Sequence, residues 1–185
     1  NDLEFMPGSE QSLPDEFSHE VSLETMRCNG CGAKLAADPL RRVLERLDIY
    51  KSDVIELGVG DDAARIVTAN GKMLLTIDGF RALVSDPYLF GRITAHHSLN
   101  DIFAMGATPK IALCLATVPY MAERLMEEDL YQLLSGINDV LSEHGVSLVG
   151  GHTAEGMETS LGLMVTGTET GASKEKGHAR VGDSL

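Results

Sequence analysis

The stretch that most constrains this chain runs from Thr76 to Met105, TIDGFRALVSDPYLFGRITAHHSLNDIFAM. Met73-Leu74-Leu75-Thr76-Ile77 is a short apolar strand that delivers a carboxylate, Asp78, at its end. Asp86-Pro87 supplies an N-cap and a first-turn proline, the pair that opens a helix. That helix is predicted to run to about Met105 and to stop at Gly106, because glycine suits the left-handed position past a helix end. Along it Phe90, Thr94, His97 and Asp101 fall four, three and four residues apart and share one stripe. A stripe that starts apolar and ends in His and Asp is unusual for a buried helix, since an unpaired buried carboxylate is costly. A capped or salt-bridged aspartate would explain Asp101 alone. Asp78 and Asp101 have company, however, in Gly58-Val59-Gly60-Asp61-Asp62, a glycine-rich turn ending in adjacent carboxylates. Acidic residues on three separate elements suit a hard cation.

The rest of the chain supports one globular domain, or one domain and a tail, in 185 residues. A hydrophobic fraction of 43% is enough for a sizeable core. The net charge of -13 argues against nucleic acid as a partner. It leaves nucleotides open, because magnesium bridges carboxylates and phosphates. No apolar run approaches the roughly 20 residues that span a bilayer, and no basic-then-apolar leader precedes the domain, so a soluble cytoplasmic protein is expected. Three cysteines, Cys28, Cys31 and Cys114, make no disulfide framework. The abrupt start at Asn1 and the end after Gly182-Asp183-Ser184-Leu185 suggest a piece of something longer.

Residues 1–26 hold seven acidic residues and no Lys or Arg, about half the excess negative charge, and read as a flexible lead-in or linker. Cys28-Asn29-Gly30-Cys31-Gly32-Ala33-Lys34 is a glycine-interrupted loop. Asp38-Pro39 repeats the helix opening, with Leu40, Val43, Leu44 and Leu47 at helical spacing. Residues 62–68 and 72–77 are predicted strands around the turn Asn70-Gly71. Past the central helix, Lys110 to Val118 is a nearly continuous apolar strand. Met126, Leu130, Leu133, Leu134, Ile137 and Leu141 mark an amphipathic helix stopped by Gly145. Val146 to Val149 is a short strand running into the loop Gly150-Gly151-His152-Thr153, and residues 160–168 form a last strand. The order predicts an α+β fold with helices layered on a mixed β-sheet.

Cys28-x-x-Cys31 invites zinc, but a structural zinc site needs four ligands, and His96-His97 sit far along on a helix. A redox CxxC opens a helix after a strand, a context missing here. A nucleophilic cysteine needs a nearby cation to depress its pKa, and Lys34 is placed to supply one; two incidental loop cysteines fit the spacing equally well. Cys114, in an apolar strand, is expected to be a small core residue. Gly150-Gly151-His152-Thr153 follows a strand where bare backbone N–H groups could approach an anion, although a lone Gly-Gly is more often a turn. No Walker A loop occurs. A Cys/Lys loop, separated aspartates and a glycine segment together suit phosphoryl transfer, where positioning and charge neutralisation carry most of the catalysis.

Six motifs occur in order: Cys31-Gly32-Ala33-Lys34, Asp61-Asp62-Ala63-Ala64, Thr76-Ile77-Asp78, Asp86-Pro87-Tyr88-Leu89-Phe90-Gly91-Arg92-Ile93, Asp101-Ile102-Phe103-Ala104-Met105-Gly106 and Gly150-Gly151-His152-Thr153. In these the chain resembles the selenide, water dikinases (selenophosphate synthetases) of the AIR-synthase-like superfamily, over roughly residues 27–170. Arg27-Cys28 and the linker character of residues 1–26 resemble the form fused behind a pyridine-nucleotide-disulfide-type oxidoreductase.

The resemblance implies that selenide, ATP and water give selenophosphate, AMP and phosphate, with magnesium as cofactor. By position, Cys31 matches the reactive cysteine and Lys34 the essential lysine beside it. Asp62 and Asp101 match magnesium ligands, and Asp78 matches a position contacting metal or ATP. Lys34, Val59-Gly60-Asp61 and Gly151-His152-Thr153 match nucleotide-contacting positions, with Asp78 and Asp101 beside the same nucleotide. The resemblance also implies a homodimer through the sheet of this domain, in which the glycine loop reaches the neighbour's nucleotide. It implies a second, C-terminal AIR-synthase-like domain carrying another metal-binding Asp, with residues 171–185 starting the connection, so that this chain alone should turn over poorly. The sequence departs from many members at His97, where they have Asn, at Asn100, where they have Ser, and at Met157-Glu158-Thr159, where they often have Pro-Glu-Pro. The first departure bears on a phosphate contact. Competing readings are a thiamine-monophosphate kinase or aminoimidazole-ribotide synthetase of the same superfamily, in which the Cys31/Lys34 loop is not expected, and a non-catalytic nucleotide-sensing or dimerisation module.

Overall fold

The computed structural model describes residues 37–50, 52–171, 174–175 and 181–182. The acidic lead-in and the loop carrying Cys28, Cys31 and Lys34 lie outside the described residues.

Helix α1 (Ala37–Leu44) is followed by β1 (Ile55–Leu57), β2 (Ala64–Thr68), β3 (Gly71–Arg81), α2 (Pro87–Ala104), β4 (Ala107–Pro119), α3 (Glu123–Glu143), β5 (Ser147–Gly156) and β6 (Ser160–Glu169). The strands form one sheet in the order β1-β2-β3-β6-β4-β5. Only β4 and β5, joined by α3, run parallel; the other neighbours are antiparallel. A parallel pair needs such a crossover helix, while the antiparallel pairs need only turns or returning strands. This is the expected α+β architecture with a mixed sheet.

One face of the sheet carries the core. Leu74 and Phe80 on β3, Ala112, Cys114 and Ala116 on β4, and Leu161, Leu163 and Val165 on β6 are buried, an even number of residues apart along each strand as pleating demands. Helix α2 packs over β3 and β6 and helix α3 over β4 and β5. The helices meet at Gly91 and Gly136: a Cβ at the first would lie 2.2 Å from the Leu133 carbonyl oxygen, and one at the second 2.0 Å from that of Tyr88. Glycine at both positions lets the two backbones touch.

The boundaries of α2 follow from its sequence. Asp86 accepts a hydrogen bond from the Leu89 amide at 3.0 Å, Pro87 opens the first turn, and Gly106 takes a positive φ of 72° after the helix ends. Gly145, at φ 65°, ends α3 in the same way.

Four expectations are corrected. Strand β1 was not anticipated, because three residues carry no readable period. The β2–β3 turn is Ala69-Asn70, with Thr68 facing Gly71. Asp78 lies inside β3, since Gly79, Phe80 and Arg81 continue the pairing with Gly162, Leu161 and Ser160 of β6. An aspartate followed by glycine looked like a strand end, but Phe80 still turns into the core. Gly150-Gly151-His152-Thr153 is part of β5, which runs on to Gly156. An irregularity opposite Ala112 and Leu113 admits Gly150 and Gly151 at φ near 150°, and a Cβ on Gly151 would lie 1.8 Å from the Cys114 carbonyl oxygen. Close backbone approach therefore accounts for Gly151.

Candidate functional site

Strand β3 and helix α2 are joined by two side-chain rungs. Thr76 Oγ1 lies 2.7 Å from Asp101 Oδ2, and His97 Nδ1 lies 3.1 Å from Asp78 Oδ2. Two residues along a strand advance about 6.6 Å and four along a helix about 6 Å, so a T-x-D strand matches an H-x-x-x-D helix when the two run oppositely. Thr76 Oγ1 is also 3.2 Å from the Asp62 backbone carbonyl. One hydroxyl has one proton, so the shorter contact with the charged carboxylate takes most of it. The Gly58–Asp62 turn is thereby drawn to the same end of the sheet. Within the turn Gly60 adopts φ 135°, and Asp61 Oδ1 accepts the Asp62 amide at 2.8 Å.

Burial separates the carboxylates. Asp78 is buried, and Phe80, two residues on, stacks its ring at 60° on the His97 ring with centroids 4.9 Å apart. Asp61, Asp62 and Asp101 are half-buried, and Val59 is exposed. The structure thus brings Asp78 and Asp101 to one strand–helix junction, with the backbone carbonyl of Asp62 beside it.

It does not bring Gly151-His152-Thr153 there. Asp78, Leu163, Cys114 and Gly151 form one transverse row across β3, β6, β4 and β5. Three strand spacings put Gly151 roughly 14 Å from Asp78. The glycine segment lines a separate cleft of about 380 Å³ under α3, with Cys114, Ala116, Leu134 and Leu148. Cys114 is buried at its floor, which pushes its thiol up to about 11. This is the inert core role expected of it.

Magnesium suits the donor chemistry of the junction. Among the described residues no group of three or more His, Cys, Asp and Glu side chains is gathered as a metal cage. Magnesium rarely uses one: it keeps several waters and is held by one or two carboxylates plus substrate phosphates. Asp78 on the strand and Asp101 on the helix, each held by a side chain of the opposite element, fit that requirement.

Two residues of consequence are not singled out by sequence. Thr76 reads there only as part of a strand, although its two-residue offset from Asp78 puts both on one face. Arg65 on β2 is the other. Its side chain is 5% exposed and lies 2.7 Å from Glu169, without linear N–H alignment, and 2.9 Å from Glu175. Burial pulls its pKa down, but the hydrogen bond to Glu175 and the charges of Glu169 and Glu175 outweigh that and raise it. Its inward position opposite Leu74 was the available signal.

A mixed sheet with both long helices on one face, and carboxylates at the junction of a central strand and its covering helix, defines an AIR-synthase-like domain. Residues 60–172 match the family described as AIR synthase related protein, N-terminal domain, and the chain belongs to that family. Its relatives within it at about 37–40% identity are selenide, water dikinases. The one from Pelobacter propionicus is 40% identical over 147 residues, covering 78% of this chain and 42% of the relative. The one from Aeromonas hydrophila is 38% identical over 162 residues, covering 84% of this chain and 46% of the relative. The chain therefore spans slightly less than half the length of these relatives. Among solved structures, AaThiL complexed with AMPPCP and TMP is similar at a TM-score of 0.61 and 26% identity, over 80% of this chain and 45% of that one.

Proposed function

We propose that this chain is the ATP- and magnesium-binding N-terminal half of a selenide, water dikinase, which converts selenide, ATP and water to selenophosphate, AMP and phosphate. The observation that carries the proposal is the pair of rungs Thr76–Asp101 and Asp78–His97, set in a chain 40% identical to such an enzyme. In this reading Asp62, Asp78 and Asp101 hold magnesium, and the bound ion neutralises phosphate charge. Val59, Gly60 and Asp61 border the nucleotide, Cys31 is the reactive thiol, and Lys34 pairs with phosphate. Thr76 keeps the Asp101 carboxylate turned toward the Gly58–Asp62 turn. The similarity to a structure complexed with AMPPCP favours nucleotide binding by this fold.

The sheet face opposite the helices supports a homodimer. Ile77 on β3 pairs with Met164 on β6, which pairs with Leu113 on β4, a transverse apolar row on the open face. Ile77 is 67% exposed, and Leu113 and Leu115 are also exposed, a contiguous patch of the kind that marks an interface. In such a dimer Gly151-His152-Thr153 serves the partner's nucleotide, consistent with its distance from Asp78 within one chain. No helix among the described residues is long and apolar enough to cross a membrane. We place the protein in the cytoplasm, with residues 27–170 as the folded domain, residues 1–26 as a linker, and a C-terminal AIR-synthase-like domain following residues 171–185.

The test is selenide-dependent formation of AMP and selenophosphate by the full-length protein, followed by phosphorus NMR. Loss of both products in Cys31→Ala supports the proposal. Phosphorylation of thiamine monophosphate without selenide dependence would instead support the thiamine-monophosphate kinase reading. Binding of ATP with neither reaction would leave a nucleotide-sensing module. The isolated chain is expected to turn over poorly, and normal selenophosphate synthesis by it would refute the need for the second half.

A further inference from the structure

We propose that Arg65 is a positioning residue that clamps the chain as it leaves the domain: by holding Glu175 beside β2, it sets the direction in which the polypeptide enters the following half. The directing role rests on the reading that a C-terminal AIR-synthase-like domain follows residues 171–185.

The placement of Arg65 is unusual for a sheet. It pairs with Leu74 of β3, and Leu74 pairs with Gly167 of β6, so its side chain stands on the helix-covered face where Leu74 is core. A guanidinium only 5% exposed is costly there unless carboxylates meet it. Carboxylates from three parts of the chain do so. Glu56 on β1 lies 3.6 Å away, Glu169 at the end of β6 lies 2.7 Å away, and Glu175 accepts a hydrogen bond from Nη1 at 2.9 Å. Glu56 is shared with Lys72, at 2.6 Å. Glu169 is brought in by the strand ladder itself, since β6 is already paired to β3. Glu175 is not, because it lies beyond β6 and 110 residues along the chain from Arg65.

The match to the family's N-terminal domain ends at residue 172, so this bond holds chain that is already leaving the domain. The same stretch is fastened where it starts: Thr170 Oγ1 donates to the Gly106 carbonyl at 3.2 Å, just past α2. Attachment at the end of α2 and again at β2 gives the exit a defined path, which a plain tether does not need. Arginine suits the task because its planar fork serves carboxylates on several elements at once, whereas a lysine ammonium is a single point charge. Glu56 and Arg65 also stand on either side of the Gly58–Asp62 turn, so one guanidinium joins both stems of that turn to the exit of the chain. A second half aimed by this exit is aimed relative to the carboxylate junction.

Cleavage after Glu175 reads the clamp directly, because a Glu-specific endoproteinase must take that side chain into its own pocket. In the full-length protein this cut, identified by mass spectrometry, is expected to be about 10–100-fold faster in Arg65→Lys than in wild type, the change in released population that one hydrogen bond between charged groups represents. General loss of stability would speed all cuts alike, so the cut after Glu158, whose side chain is 47% exposed at the β5–β6 turn, is the internal reference and should keep its rate. Small-angle scattering then tests direction: Glu175→Ala should broaden the distribution of distances between the two halves and lengthen the maximum dimension. If Arg65→Lys fails to fold, Glu175→Ala decides the question, since it removes the outer carboxylate and leaves Arg65 beside Glu169. An unchanged rate at Glu175 in folded Arg65→Lys, or equal acceleration at Glu158, would overturn the clamp. Faster cutting with unaltered scattering in Glu175→Ala would overturn the directing role. If the wild type scatters as one folded body, the reading of a second domain fails and the directing role with it, while a faster cut in Arg65→Lys still upholds the hold on Glu175.

Discussion

Thr76 Oγ1 donates to the Asp101 carboxylate across 2.7 Å, tying the central strand to the helix that covers it. A second threonine on the same interface, Thr94 of α2, is fully buried, and its hydroxyl has no hydrogen-bond partner among the described residues. The same change at the two sites should therefore act with opposite sign.

Thr76→Val removes a hydrogen bond to a charged acceptor, so urea unfolding should show a loss of about 1.5–3 kcal/mol. Thr76→Ser keeps the donor and should recover most of that loss. Thr94→Val replaces an unsatisfied hydroxyl by a methyl of similar volume and should be neutral or stabilising by up to about 1 kcal/mol. Equal destabilisation at both sites would mean that threonine shape, not the Thr76–Asp101 bond, matters at this interface.

Asp101→Asn tests the ligand side of the same residue. A ligand that binds only the native state raises stability by about 2.7 kcal/mol at 100 times its dissociation constant. For a chain of this size that corresponds to a melting shift of roughly 5–10 °C with magnesium and ATP. The shift should require magnesium and vanish in Asp101→Asn. No shift in the wild-type chain would mean either that the second half is needed for nucleotide binding or that the site is misassigned, and melting the full-length protein decides between them.

How much of this could be read from sequence depends on whether the signal was local. The α2 boundaries were legible because Asp86, Pro87 and Gly106 act through their own backbone. The Phe90-Thr94-His97-Asp101 stripe was legible because helical spacing is fixed, and two of its members, His97 and Asp101, do meet Asp78 and Thr76 of β3. What failed depended on partners distant in sequence. Asp78 sits inside a strand only because β6 continues the pairing past it, 85 residues downstream at Leu163. Gly150-Gly151 reads in sequence as a turn or an anion-binding segment, and only the approach of the Cys114 carbonyl shows that β4 demands the missing side chain of Gly151. The separation of that segment from Asp78 by three strands follows from strand order, which no local pattern encodes.

Gly91→Ala tests the helix crossing. In an open helix the change would stabilise by about 1 kcal/mol, because alanine has the higher helix propensity. Here the new methyl would sit 2.2 Å from the Leu133 carbonyl oxygen, a backbone atom that cannot swing aside. The helices must part, and the loss should be about 1–3 kcal/mol or more. Gly136→Ala, facing the Tyr88 carbonyl, should behave alike. Because the two changes open one contact, the double variant should lose less than the sum of the singles. Full additivity in denaturant titrations would argue against a shared crossing.

Cys114 gives a pH dependence with a definite sign. Burial raises its thiol from the ordinary 9.0 to about 11 in the folded chain. The native state therefore keeps a proton that the unfolded chain releases first. The stability from burying the neutral thiol is complete below about pH 9 and is lost as pH rises toward 11. Within that window the slope contributed by this one group approaches about 1.4 kcal/mol per pH unit. Lysines and tyrosines titrate in the same range, so the useful quantity is a difference. Urea midpoints of wild type and Cys114→Ala should converge as pH rises from about 8 to about 11, because alanine has no proton to lose. Parallel curves would mean that the thiol reaches water in the folded state, through the cleft lined by Gly150, Gly151 and Leu148. Cys114 would then be open to modification rather than inert.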